Sequence, residues 1–297
     1  MQGQVNVLIS TYNGEKYIEE QIDSILAQTY PNIQIYVRDD ASTDGTLAVL
    51  KRYEREKKIH LFTGKNIRYG RSFMHLLELA SEGDYWAFCD QDDVWLPDKI
   101  KWAVEWFETQ DERTPLLFHS AYEMTDENLE KVIGTHEPPD YIFDFRRSLT
   151  DCLYQGFSIV FNRSLREKML NCNIDNLDSH DWWACLMVTK FGKSYFDPRI
   201  ASKHRRLEGS MSSGKLKSRV KWMLRTFQTG NSDIKSCAKE FVRVYDDGSR
   251  DAAIAKWFSH DSYHFADAVK KAFYPRRWRA SLSSEIVLRF LMIFGKI

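Results

Sequence analysis

Short apolar runs alternate with helix-spaced apolar positions through the first part of the chain. Val5–Ile9 reads as a buried strand, and Gly14–Gln28 as a helix with Tyr17, Ile18, Ile22, Ile25 and Leu26 on one face. Ile33–Val37 predicts a second strand, followed by a helix whose start is capped from Ser42-Thr-Asp44. Ile59–Phe62 predicts a third strand, Ser72–Ser81 a helix, and Tyr85–Cys89 a fourth strand. Pro97 takes a first-turn position ahead of a helix with Ile100, Val104 and Phe107 inward. Leu116–Tyr122 predicts a strand leading into a turn at Thr125–Asn128, Tyr154–Phe161 another strand, and Ser179–Phe191 a helix. Residues 132–150, with Pro138 and Pro139, read as an irregular loop that could act as a lid. This alternation implies an α/β fold, a mostly parallel twisted sheet with helices on both faces. Past Gly214 the texture changes to helical segments rich in Lys, Arg and aromatics, which places a boundary there.

Two of the predicted strands end in carboxylates. Tyr85–Cys89 runs into Asp90, Asp92 and Asp93, and Ile33–Val37 runs into Asp39, Asp40 and then Asp44. Ligands of open α/β sheets bind beyond the carboxyl ends of the strands. Acids delivered to one edge by two strands predict a hydroxyl-rich, metal-chelating ligand such as a nucleotide diphosphate.

Composition sharpens this in two places. The 297 residues carry no formal net charge, yet residues 215–297 hold 17 Lys/Arg against 8 Asp/Glu while residues 1–214 hold 25 against 34. An acidic first part with a basic tail suits a metal-nucleotide site joined to something that meets anionic surfaces. The five cysteines are odd in number and lack CxxC spacing, which excludes a full disulfide framework and points to reduced, buried thiols. Residues 1–6 lack a signal-like pattern, and no apolar run reaches the roughly 18–20 residues that span a bilayer, so a cytoplasmic location is expected.

Five motifs then occur in order: Ser10-Thr-Tyr-Asn-Gly14, Arg38-Asp-Asp-Ala-Ser-Thr-Asp-Gly-Thr46, Asp90-Gln-Asp-Asp-Val-Trp95, Gln155-Gly156 and His180-Asp-Trp-Trp183. Over residues 4–214 they resemble the inverting GT-A glycosyltransferases of family two, particularly the bacterial rhamnosyltransferase-like branch. The resemblance implies a GT-A catalytic domain over residues 1–214, with a nucleotide-binding half to about residue 110 and an acceptor-binding half to 214. Residues 215–297 would be a helical extension.

The resemblance also distributes roles. Asp92 would ligate Mg²⁺ or Mn²⁺, directly or through water, because a hard cation prefers carboxylate oxygens and leaves positions for phosphate. Asp90 would contact ribose or a metal-bound water, and Asp93 the loop or the donor sugar. Asp40 would accept the N3–H of a pyrimidine, with Ser10, Thr11 and Tyr12 walling the base pocket. Asp39 could instead be structural, and Asp44 a helix cap. Asp181 would be the base that takes the acceptor's proton during a single displacement with inversion. Gln155, Gly156, His180 and Trp182 would meet acceptor or donor sugar; Trp182 or Trp183 could stack on a sugar face, with one of the two packed in the core. The segment Lys203–Gly214 departs from the family's Tyr-Arg-Gln-His-like stretch. Arg206 takes the arginine position, fit to bind diphosphate, and Glu208 the histidine position as a second metal ligand. His204 could substitute from a shifted register.

Arg276-Arg-Trp-Arg279 ahead of Ile286–Phe294 resembles an interfacial amphipathic helix, as an acceptor on a polyprenyl diphosphate would require. Packing on the catalytic domain or on a second copy, as a homodimer, is the other reading. The implied function is metal-dependent transfer of a sugar, L-rhamnose from dTDP-rhamnose or a hexose, N-acetylhexosamine or galactofuranose from UDP, to a growing bacterial surface polysaccharide. Two competing readings are a nucleotidyltransferase, which would want a Gly-rich basic loop after the first strand, and a non-catalytic sugar-nucleotide-binding protein. Nothing in the basic-aromatic pattern points to nucleic acid.

Overall fold

The computed structural model describes residues 2–136, 143–206, 224, 226–228 and 232–297. In chain order the elements are β1 (Val5–Thr11), α1 (Ile18–Leu26), β2 (Ile33–Asp39), α2 (Thr46–Arg55), β3 (His60–Thr63), α3 (Tyr69–Leu79), β4 (Tyr85–Cys89), β5 (Val94–Trp95) and α4 (Lys99–Phe107). The second part contributes β6 (Leu116–Thr125), β7 (Val132–Thr135), α5 (Phe145–Ser148), β8 (Ile159–Asn162), α6 (Arg163–Leu170), α7 (His180–Phe191) and β9 (Lys193–Arg205). Helices α8 (Ser232–Tyr245), α9 (Arg250–Lys256), α10 (Phe265–Ala272) and α11 (Leu282–Ile293) follow.

One mixed sheet runs in the order β3-β2-β1-β4-β8-β6-β9-β5, with β7 pairing on β6. Its first four strands are parallel, and the registers Ser10↔Arg38, Thr11↔Asp39 and Ile9↔Cys89 bring their carboxyl ends level. Strand alternation splits the core between the two faces. Leu8, Trp86 and Phe88 face α3, α6, α7 and the C-terminal helices, whereas Val7, Ile9, Ala87 and Cys89 face α1, α2 and α4. All five cysteines are free thiols, with Cys89, Cys185 and Cys237 buried.

Several expectations are corrected. Helix α1 begins at Ile18 because Gly14 is spent on a turn, its carbonyl accepting from Tyr17 N and Ile18 N, and Leu26 is exposed. The presumed loop 132–150 holds β7 and α5, with Asp144 capping α5 by accepting from Arg147 N. The strand expected from Tyr154 starts at Ile159, since Ser158 N and Oγ both turn back on the Gln155 carbonyl. Strands β5 and β9 and helix α6 carry no clear periodicity and were not foreseen. The expected boundary at Gly214 lies outside the described residues.

A single buried side chain locks the second half of the sheet. Asn162 Oδ1 accepts from Leu116 N (2.9 Å) and from Leu165 N (3.1 Å), capping α6. Its Nδ2 donates to the carbonyls of Glu112 (3.0 Å) and Thr114 (2.9 Å). Asn162→Ala would strand buried backbone groups and remove a cap, costing about 2–4 kcal/mol. The expected result is a lower urea midpoint with an unchanged slope; an unchanged midpoint would refute this role.

Candidate active site

The cleft lies where the level ends of β1, β2 and β4 release their loops. Tyr12, just past β1, is 49% exposed, and its backbone is bracketed by the next loop. Gln91 Oε1 accepts from Tyr12 N (2.9 Å) while Gln91 Nε2 donates to the Tyr12 carbonyl (3.2 Å). Ser10 Oγ donates to Ser72 Oγ at 2.7 Å, at the cleft floor. Thr11 departs from expectation. It is 0% exposed with its hydroxyl on Asp39 (3.2 Å), so its side chain supports the wall from behind. Asp39 also receives Ser42 N (3.0 Å) and Asp44 receives Thr46 N (3.0 Å), the structural and capping roles foreseen for them.

Asp40 is buried and receives Ile67 N (3.0 Å), Arg68 N (3.0 Å) and the Arg38 guanidinium. A carboxylate offers about four acceptor positions, so the side chain expected to meet a pyrimidine N3–H already holds the protein's own donors. Its visible effect is to fix the loop at Lys65–Arg68, where Arg68 adopts a left-handed φ of 72°. Arg38 braces the same loop, donating to the Lys65 carbonyl (3.0 Å) and to Ser72 Oγ (3.1 Å).

At the end of β4 the three acids diverge in environment. Asp90 and Asp92 are half-buried on the cleft side. Burial, then the charges of Asp93, Asp92 and Asp181, hold the Asp90 carboxyl well above its usual range. Burial and Asp93 likewise raise Asp92, against the pull of His204 and Arg205. Asp93 is 0% exposed, and its Oδ1 pairs with His204 Nδ1 at 2.8 Å, while its Oδ2 has no hydrogen-bond partner among the described residues. It therefore ties the loop to β9, the loop-holding one of the two roles expected of it.

Three basic side chains surround this loop. His204 stacks on Phe157 with centroids 4.4 Å apart. Arg205 donates to the Asp92 carbonyl (2.7 Å) and the Glu127 carbonyl (3.0 Å), pairs with Glu20, and lies 4.9 Å over the Tyr17 ring. Lys99 is fully buried, donates to the Phe157 carbonyl (3.0 Å) and sits 4.7 Å over Trp95. Burial pushes its ammonium down to about 8, with Cys89 and Asp93 opposing. Gln91, Lys99 and Arg205 had no assigned role. Gln91 lies within the acidic motif and Lys99 shortly after it, whereas the polar neighbours His204 and Arg206 give Arg205 no readable signal.

The opposite wall is the start of α7. Asp181 Oδ1 accepts from Ser179 Oγ (2.5 Å) and Trp182 N (2.8 Å), which fixes the carboxylate near Asp90. His180 points the other way: it is buried against Phe73 (4.1 Å) and Phe88 (4.5 Å), and neither ring nitrogen has a partner among the described residues. Burial pushes it down to about 4, so it is neutral at physiological pH and buttresses α7 without meeting an acceptor. Gly156 closes on this corner, where a Cβ would come within 2.7 Å of His180 Nε2. Gln155 is half-buried beside it. Trp182 is half-buried with its indole N–H on the Ser148 carbonyl (2.6 Å), and Trp183 is the one of the two that lies in the core. Tyr69, at the start of α3, was not foreseen; its ring stands edge-on to His180 at 6.1 Å. Arg206 follows β9 with its guanidinium on Met124 Sδ (2.9 Å). Glu208 lies outside the described residues.

The chain as a whole is similar to known proteins. Over 222 residues the chain is 28% identical to TuaG of Bacillus subtilis, named as a teichuronic acid biosynthesis glycosyltransferase, which covers 73% of this chain and 84% of TuaG. Over 107 residues it is 36% identical to the dTDP-rhamnosyl transferase RfbG of Shigella flexneri, 33% of this chain and 36% of RfbG. The crystal structure of S. aureus TarS in complex with UDP-GlcNAc superposes with a TM-score of 0.59 at 17% identity, covering 99% of this chain and 79% of that one. That likeness bears out the expected GT-A fold with its helical C-terminal region. Residues 6–172 match glycosyl transferase family 2, and the chain belongs to that family.

Proposed function

We propose that the chain transfers a sugar from a pyrimidine nucleoside-diphosphate donor to a saccharide acceptor of a bacterial cell-surface polysaccharide, with inversion at the anomeric carbon. The observation that carries this reading is the group of acids that β4 releases together with Asp181, whose carboxylate Ser179 Oγ and the Trp182 amide hold at the start of α7. Burial, then the charges of Asp93, Asp92 and Asp181, raise the Asp90 carboxyl. One carboxylate group would hold the leaving group's cation, and the other would take the acceptor's proton. The name of TuaG supports a polysaccharide product. RfbG supports dTDP-L-rhamnose as donor over the third of the chain that it matches, and a UDP-sugar is the alternative.

The residues fit a hard divalent cation. Asp90 and Asp92 offer oxygen donors raised by burial and by the neighbouring Asp93 charge, and the buried Asp93 Oδ2 lacks a partner among the described residues. Asp92, with Glu208, would hold Mg²⁺ or Mn²⁺, whose charge would offset that of the departing diphosphate. Arg206, at the cleft end of β9, would bind phosphate oxygens, and Asp90 the ribose. Tyr12 and the Lys65–Arg68 loop fixed by Asp40 would flank the base. The acceptor oxygen attacks the anomeric carbon as the bond to the diphosphate breaks, and Asp181 receives the hydroxyl proton. Ser179 and the Trp182 amide keep that carboxylate aimed. Trp182, braced by Ser148, would present its ring to the acceptor. Residues 1–214 would hold this machinery, and the C-terminal helices would bring it to a lipid-linked acceptor. Among the described residues no helix is long and apolar enough to cross a membrane. However, Phe265, Phe273, Ile286 and Phe290 project into solvent beside exposed Arg276 and Arg277, a combination that suits an anionic leaflet.

Three measurements test this reading. Thermal shifts with UDP, dTDP, GDP and CDP, with and without Mn²⁺ or Mg²⁺, should rise only for dTDP or UDP with metal; no shift with any nucleotide would sink the transferase reading. Asp181→Asn should lower turnover about 10²–10⁴-fold while keeping the nucleotide shift. The third concerns Asp90. Its folded pKa is raised, so the folded state binds more protons than the unfolded one between the ordinary carboxylate value and the raised one. Metal-free stability should therefore fall as pH rises through that window and stay low above it. Asp90→Asn should raise the metal-free Tm at neutral pH, and Asp92→Asn should remove the Mn²⁺-dependent shift. A lowered metal-free Tm would contradict the electrostatic account.

A further inference from the structure

Helix α10 opens with a second cluster of metal-ligating side chains, in the C-terminal helices and apart from the cleft. His260 and His264 come from the connection that follows α9, and Asp267 from the first turn of α10. Both imidazoles aim at one carboxylate oxygen: Asp267 Oδ2 is 2.9 Å from His260 Nε2 and 3.2 Å from His264 Nδ1. The three ligand atoms lie within 4.8 Å of one another. In a tetrahedral site with bonds of about 2.0–2.1 Å, neighbouring ligand atoms stand about 3.3 Å apart. Two of the three edges already have nearly that length, and the third closes with a small rotation of the exposed His264 ring.

The other Asp267 oxygen is also arranged for this purpose. Lys270 Nζ donates to Oδ1 at 2.9 Å, on the side away from the imidazoles. A metal on Oδ2 with a donor on Oδ1 is the usual division of a ligating carboxylate between the ion and its supporting hydrogen bond. Burial opposes the charge on Asp267, but hydrogen bonds from Lys270 and His260 outweigh it and hold the carboxyl below its usual range. The carboxylate is thus ionised and nearly buried, while His260 and His264 remain open to solvent on the face an ion would approach.

We propose that His260, His264 and Asp267 form a zinc-type transition-metal site, three protein ligands with a water completing the tetrahedron. Imidazole and carboxylate donors suit Zn²⁺ over the harder cation expected in the cleft. The site is structural. It closes the connection over a small cavity lined by Lys235, Phe258, Lys271 and Ile297. It also anchors Tyr263, whose hydroxyl donates to the Ile293 carbonyl at 3.1 Å at the end of α11. An ion there would fasten α9, α10 and α11 to one another.

Metal-stripped full-length protein dialysed against Zn²⁺ should take up one ion that is lost in His264→Ala and in Asp267→Asn but kept in Asp92→Asn. Because His264 is exposed, His264→Ala should fold, and an unchanged circular dichroism spectrum would confirm that it has. Co²⁺ in place of Zn²⁺ should give the intense visible bands of four-coordinate geometry, absent in His264→Ala, and Zn²⁺ should raise the Tm of the wild type alone. Uptake that persists in both C-terminal variants would overturn the assignment. So would no Zn²⁺ uptake by the wild type, which would leave the cluster as an ion pair network between Asp267, Lys270 and the imidazoles.

Discussion

The contact between Asp93 and His204 is the constraint on which the cleft depends. A loop carrying three carboxylates would, left alone, swing toward water, where each charge is better solvated. The 2.8 Å bond buries one of the three against β9, and the Arg205 bond to the Asp92 carbonyl holds the next residue's backbone. Val94 and Trp95 then pair with Lys203 and Ser202, so the loop becomes part of the sheet. Asp90 and Asp92 are left half-buried, raised and facing the cleft. Their exposure to a cation is the counterpart of Asp93 being buried.

That arrangement stores electrostatic repulsion and compensates it only in part. His204, Arg205 and Lys99 approach the loop from behind, bonded to Asp93 and to backbone carbonyls, while the cleft side of Asp90 faces a fourth carboxylate, Asp181. These side chains stabilise the loop's shape without occupying the oxygens that a metal would use. A fully paired cluster would be more stable and would have no affinity for a divalent ion, because its acceptor positions would be taken. Asp40 is the contrasting case: its acceptor positions are filled, and its effect is confined to shaping the neighbouring loop.

The parallel half of the sheet was legible because its strands are apolar runs ended by abrupt polarity, and burial on both faces demands that pattern. The acids stood out for the same reason. Strand β9 was not legible. Its Lys, Ser, Asp, Arg and His positions mask any alternation, and its register on β6 shifts twice between Ser120 and Tyr122. With β9 hidden, His204 and Arg205 could be assigned only by motif alignment, which favoured Arg206 and Glu208. Motif position points Thr11 and His180 to ligand contact, and leaves Asp93 between holding the loop and meeting the donor sugar. The structure places each behind the cleft wall, where a side chain's direction, set by strand pleat or helix phase, decides what proximity in sequence cannot.

Helix α7 shows how far the site reaches into the rest of the chain. Trp183 to Val188 are buried without interruption, a pattern with no polar face, as a helix enclosed on all sides requires. One side is covered by α3 and α6, and another by Ile234, Cys237 and Phe241 of α8, all in one continuous core. Thr150 and Arg146, just before the Gln155-Gly156 corner, bond the Trp278 and Arg277 carbonyls. Asp181 thus stands at the start of a helix whose burial is completed by segments beyond residue 231. Removing those helices would expose the apolar side of α7 and loosen the carboxylate that Ser179 and the Trp182 amide hold in place. The C-terminal helices therefore act on the chemistry through packing, whatever surface they meet on their outer side.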